Sequence, residues 1–216
     1  MNSNPAVVYD ACVLYPAPLR DLLVELAGHA QDLDWFRTKW TNEIHDEWMR
    51  NLLENRPDLT PEQLNRTKGL MNRHIDDCLV TGYEHRIEHL ELPDVDDRHV
   101  LAAAIECKAS IIVTANIDDF PAETLIASGI IAMSADDFLC DLLDTHEEAA
   151  EKVLEEAVRA IKRRLTNPPL SWNQYFHVFE TMQGNELTKT VQRLRAIIPE
   201  AEVAAEDEAF AKREGV

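Results

Sequence analysis

At four places along the 216 residues, acidic side chains stand where a strand-like run ends or a helix-like run begins. Asp10 closes VVYD, Glu43 follows Thr41 in TNEIHDEW, Asp96 and Asp97 lie in LPDVDDRHVLAAA, and Asp118 and Asp119 lie in TANIDDFP. Taken singly, each has an ordinary explanation: an acid in a helix's first turn meets the positive end of the backbone dipole, and an aspartate in a loop closes an Asx turn. Four such sites feeding one face are harder to explain this way, because converging carboxylates raise one another's pKa and destabilise an empty cleft. A bound cation removes that conflict. The donors are all oxygen, with no cysteine and no obligatory histidine beside them, which favours Mg²⁺ or Mn²⁺ over zinc. Carboxylates holding one or two such ions can orient a water, acidify it and stabilise the charge that builds on a phosphodiester during in-line attack.

The elements that must position these acids follow from hydrophobic periodicity. Ala6 to Tyr9 is a short apolar run after Pro5, suited to a buried central strand that delivers Asp10 at its carboxyl end. Leu19 to Ala30 has helical spacing, and Trp35 to Trp40 reads as a second strand. Thr41 is an N-cap for a helix with Glu43 in its first turn. Thr60-Pro61-Glu62-Gln63 combines a cap, a proline at the first helical position and a capping-box glutamine, starting a helix expected to run to about Val80. A helix over Asp96 to Ala109, a strand over Ile111 to Thr114, a short helix closed by Gly129, a strand over Ile130 to Met133 and a helix capped by Ser134 complete the alternation. Such alternation predicts an α/β domain with a central, mainly parallel sheet, spanning 1–144, with its ligand site at the carboxyl ends of the strands. Beyond it, residues 145–216 read as a helical C-terminal extension. It has a helix from Glu147 to Leu165, a break at Asn167-Pro168-Pro169, two further helices and a frayed or loosely helical end.

The net charge of −19 argues against a protein that coats nucleic acid by general attraction. Its distribution is uneven: residues 1–144 hold 11 basic against 27 acidic side chains, and residues 145–216 hold 10 against 13. The extension therefore carries the concentrated basic surface, with Lys152, Arg159, Lys162, Arg163 and Arg164 on and around one helix. These cations either pair with Glu148, Glu151, Glu155 and Glu156 along a solvated helix or form a wall that tracks phosphates, with Lys162, Arg163 and Arg164 as the candidate nucleic-acid-binding residues. Trp172, Tyr175 and Phe176 fit core packing better than base stacking. Cys12, Cys78, Cys107 and Cys140 lack C-x-x-C spacing and read as reduced thiols. No apolar run is long enough for a membrane span, so a cytoplasmic location is expected.

The acid closing the first strand, the glutamate at a strand-to-helix junction, the helix DDRHVLAAAI and the strand exit IIVTANIDDFP resemble the PIN-domain pattern. The last two segments most closely resemble PIN proteins of the VapC toxin class, and the resemblance spans residues 5 to 140. It implies a PIN-like α/β/α sandwich and an Mg²⁺- or Mn²⁺-dependent endoribonuclease. It also implies an RNA substrate, a VapB-type antitoxin that blocks the site with an Arg- or Lys-bearing peptide, and a homodimer. The family's first acid falls on Asp10, its second on Glu43, its third on Asp97, and its last polar position on Asn116 with Asp119 close behind. Many PIN enzymes have aspartate where this chain has Asn116, so either Asn116 or Asp119 completes the set, with Asp96 as further polar support.

Three other readings compete. His85-Arg86-Ile87-Glu88-His89 fits the H-x-x-E-H pattern of inverted zinc peptidases but lacks an evident third ligand. A phosphatase using Asp10 as nucleophile usually asks for a second aspartate where this chain has Cys12. A catalytically weakened PIN scaffold that binds RNA or protein is the non-enzymatic alternative, since a fold alone does not set an activity.

Overall fold

The Ala-Val-Val-Tyr run forms β1 (Ala6–Tyr9), and all four residues are buried. Successive strand residues face opposite ways, so both faces of the sheet are covered here. The computed structural model describes residues 4–166 and 168–214, the side chains of 213 and 214 excepted, and the chain divides into two compact units, Met1–Ser134 and Ala135–Val216. In the first unit β1 lies between β2 (Arg37–Lys39) and β3 (Ala109–Val113), with β4 (Ile131–Met133) outside β3. Every pairing is parallel, as short apolar runs separated by helices require. The chain runs from β1 to β2 on one side and later to β3 on the other. The crevice at the carboxyl ends of β1 and β3 is therefore the natural ligand position.

Local signals set most of the flanking helices. After α1 (Ala11–Leu14), α2 (Ala17–Asp32) buries Leu19, Leu22, Leu23, Leu26 and Ala30 along one face. Thr41 caps α3 (Asn42–Asn55) by accepting from the Ile44 N–H, and Thr60 and Gln63 form the expected capping box of α4 (Pro61–His74). Between these helices His45 is fully buried, accepting at Nδ1 from Trp48 Nε1 at 3.0 Å. That leaves Nε2 to donate to Asn72 Oδ1 at 2.9 Å, so the ring is neutral, and burial pushes its pKa down to about 4. The α4 helix stops at His74 instead of near Val80. Asp77 turns the chain with a φ of 53°, and residues 78–80 pair with Trp40, whose N–H donates to the Cys78 carbonyl while its carbonyl accepts from Val80, both at 2.9 Å. The edge backbone at Trp40 needs partners, and this demand prevails over helix propensity. After α5 (Glu84–Ile87), α6 (Arg98–Glu106) is shorter than the expected Asp96–Ala109 helix, because Asp97 is its cap and Lys108, at φ 56°, turns the chain into β3. The α7 segment (Ala122–Leu125) leads through a turn closed by Gly129 at φ 66° to β4.

The second unit is helical. The helices expected to start at Ser134 and at Glu147 run on as α8 (Ala135–Arg164), with a kink at Glu147 where φ is 48°. Because this helix begins at Ala135, the unit boundary falls before the expected junction at 144/145. Asn167 of the expected break lies outside the described residues, and Thr166 bridges to Pro169. Ser171 and Gln174 cap α9 (Trp172–Glu180), which buries Trp172, Tyr175, Phe176 and Phe179, as core packing predicts. Then come α10 (Thr188–Ile197) and α11 (Glu200–Glu214), the latter helical where a frayed or loosely helical end was expected.

Candidate metal centre

Asp10 closes β1 and caps α1, and it is 1% exposed. Its Oδ1 accepts from the Ala11 N–H at 2.6 Å, and its Oδ2 accepts from the Thr114 hydroxyl at 2.7 Å and from the Cys12 thiol at 3.0 Å. Thr114 directly follows β3, so the pairing of the two central strands fixes the Asp10 carboxylate in one orientation. Burial nevertheless raises its pKa, with the Glu47 charge adding to the effect against the three donors.

Asp97 stands at the start of α6 and is 7% exposed, yet it makes no capping bond, and its Oδ2 has no hydrogen-bond partner. Burial first, then the charges of Asp10, Asp119, Asp94 and Glu47, push its pKa up to about 7. Asp94, in the loop before α6, and Asp119, in the 3₁₀ turn Ile117–Asp119 after β3, each place a carboxylate oxygen near it. The ligand atoms of Asp94, Asp97 and Asp119 lie within 4.8 Å of one another, the one such grouping of His, Cys, Asp and Glu among the described residues.

The other anticipated positions are arranged differently. Glu43 is in the first turn of α3 as expected, but it is half exposed; it accepts from the Tyr83 hydroxyl at 3.1 Å and approaches His99 Nδ1 at 4.0 Å. Asp96 is exposed and gives only its backbone N–H to Asp94, at 2.9 Å. Asn116 is exposed, and its N–H donates to the Thr114 hydroxyl at 3.0 Å. Asp119 is one of the three carboxylates brought together. His85 turns back to the Gly82 carbonyl at 2.8 Å and enters no such grouping with Glu88 and His89. In the second unit Lys162 is engaged by Glu206, whereas Arg163 is exposed; Arg164 is exposed too, at the end of α8.

Several participants were not foreseen. Asp94 lies three residues before Asp97, and Glu47 lies one helical turn after Glu43, on the same face of α3. Glu47 accepts from His99 Nε2 at 3.2 Å. Burial works against a charged His99, but Glu47, Glu43 and Asp10 outweigh it and raise its pKa. Thr114 stood within the strand-exit motif, and Cys12 two residues past the first acid, but neither has a sequence signal for binding Asp10.

The donor set fits a hard divalent cation. It is made of oxygens from several elements, and it includes a buried carboxylate oxygen with no proton donor among its neighbours. Residues 6–118 match the PIN domain family, just over half of the chain. The chain belongs to the PIN-domain family. Residues 135–196 of this PIN protein match the VapC50 C-terminal domain. A relative described as "Putative ribonuclease VapC50", from Mycobacterium tuberculosis (strain ATCC 25618 / H37Rv), is 50% identical over 58 residues, which are 27% of this chain and 34% of the relative. The aligned stretch thus covers well under two thirds of that relative. No solved structure matches the chain.

Proposed function

We propose that this PIN protein is a Mg²⁺- or Mn²⁺-dependent endoribonuclease and the toxin half of a VapBC-type toxin–antitoxin pair. The observation that carries the reading is the buried, unpartnered Oδ2 of Asp97 among the carboxylates of Asp10, Asp94 and Asp119. Such an arrangement is poor for stability and good for holding a cation. Asp10 is the rigid member, held by Ala11, Cys12 and Thr114. Asp94 and Asp119 are more exposed and can adjust to a phosphate that approaches the crevice. A divalent ion bound there supplies charge for a phosphodiester oxygen and a water acidified towards neutral pH. Glu47 accepts from His99 Nε2, and Glu43 faces the ring's Nδ1 at 4.0 Å, which places an imidazole two residues from Asp97.

The anionic crevice would also accept an Arg or Lys side chain of a VapB-type antitoxin, and we include that partner and a homodimer in the proposal. No helix among the described residues is long and apolar enough to cross a membrane. The test is incubation of the purified chain with total RNA, casein and a phosphatase substrate across a Mg²⁺ and Mn²⁺ titration. Metal-dependent loss of RNA alone is expected. RNA that stays intact at all metal concentrations while still binding would replace the enzyme with the scaffold reading.

A further inference from the structure

In the second unit a cationic and aromatic groove is filled by the chain's own acids. The Arg159 guanidinium lies 5.6 Å, and the Lys162 ammonium 4.8 Å, from the ring centre of Trp172. With Arg163, Leu165, Pro169 and Leu170 they line a cavity of about 380 Å³ whose opposite wall is α11. Glu202 takes Arg159 in a two-pronged grip, at 2.6 and 2.9 Å, the geometry with which arginine holds phosphate. Glu202 also accepts from Trp172 Nε1 at 3.2 Å, Glu206 accepts from Lys162, and Asp207 from the Asn173 amide.

The helix that supplies these carboxylates is weakly anchored. Residues 200–214 carry six acidic against two basic side chains, and none of residues 200–212 is buried. Apolar burial therefore contributes little, and α11 is held mainly by ion pairs, which salt weakens. It also lies beyond residue 196, where the match to the VapC50 C-terminal domain ends. Two neighbouring cations that hold carboxylates in this way can, once uncovered, take the phosphates of an RNA backbone instead.

We propose that α11 is an internal acidic decoy occupying a phosphate-binding groove for RNA, and that RNA displaces it from Arg159 and Lys162. The choice of RNA over an acidic peptide rests on the nuclease reading above. The test uses the full chain in EDTA, with a labelled oligouridine followed by fluorescence anisotropy over a salt series. Glu202→Gln with Glu206→Gln should tighten binding by about tenfold. Adding Arg159→Ala and Lys162→Ala to that background should remove the gain and flatten the salt slope by about two phosphate contacts. In the wild-type chain, saturating oligouridine should speed amide exchange across residues 200–214. Unchanged affinity in a double Gln variant that melts like wild type would overturn the proposal. So would unchanged or slowed exchange in α11, or an equal gain in affinity for polyglutamate. Binding in EDTA needs no cleavage, so failure here leaves metal-dependent RNA loss untouched. Tighter RNA binding in EDTA, with RNA left intact across the separate Mg²⁺ and Mn²⁺ titration, would instead defeat the nuclease reading alone.

Discussion

Asp97 and Asp136 are buried to nearly the same degree, 7% and 8% exposed, one in each unit and each at the start of a helix, yet their surroundings are opposite. Asp136 is saturated with donors: Oδ1 accepts from the Thr190 N–H and hydroxyl, both at 2.8 Å, and Oδ2 from the Lys189 N–H at 2.9 Å. It ties α8 to the start of α10 and satisfies N–H groups that would otherwise be orphaned there. Asp97 has an oxygen with no partner and other carboxylates around it. Burial alone therefore does not mark a functional acid. An unsatisfied oxygen among like charges is what the proposed function rests on, because a ligand is what would complete it.

The sharpest way to break this contrast is Asp97→Asn. Cleavage in saturating Mn²⁺ should fall by at least about a hundredfold, more than the loss of a group that merely orients a ligand. The metal-free variant should melt above the metal-free wild type, because a like-charge conflict is gone. Metal-dependent cleavage retained by the variant would place the centre elsewhere.

The pH dependence of the metal-free protein should show the same conflict. A fold that raises the Asp97 pKa to about 7 favours its protonated form, so that stabilisation is complete below the ordinary value of 3.8 and is lost as pH rises towards 7. His45 acts in the other direction: its pKa is held near 4, so its contribution is complete above 6.5 and is lost as pH falls towards 4. Subtracting the urea-unfolding profile of Asp97→Asn from that of the wild type isolates the first effect, which is on the order of 4 kcal/mol at most. Mn²⁺ at pH 7.5 should restore the lost stability of the wild type only. A flat difference profile would show that Asp97 is not under electrostatic pressure.

A smaller effect is expected from Asp136→Ala, which leaves the Lys189 and Thr190 donors unmet. It should destabilise the second unit by about 2–3 kcal/mol in urea unfolding, with Mn²⁺ affinity at the carboxylate crevice unchanged. An unaltered midpoint would mean that solvent replaces the aspartate without loss, and the contrast with Asp97 would then lose its structural half.

Much of this organisation was legible in the sequence where the signal is local. The Thr41 and Thr60 caps depend on hydrogen bonds three residues long, and β1 on four consecutive apolar residues, so Asp10 at a strand end followed directly. Asp97 and Asp119 were recognisable as acids at element edges for the same reason. Tertiary structure decided what those acids meet. Thr114 reaches Asp10 across 104 positions only because β3 pairs with β1 in parallel register, and Glu47 reaches His99 across 52 only because α3 and α6 converge. The end of α4 was settled by the backbone of Trp40, an edge position that the propensity of residues 75–80 does not report. Arg159 offered helical partners one turn away, and it does meet Glu155, but Glu202, 43 positions on, takes both of its terminal nitrogens. Helix caps and strand burial are settled by neighbours along the chain, whereas the charge a side chain faces depends on which distant elements pack beside it, and periodicity carries no record of that.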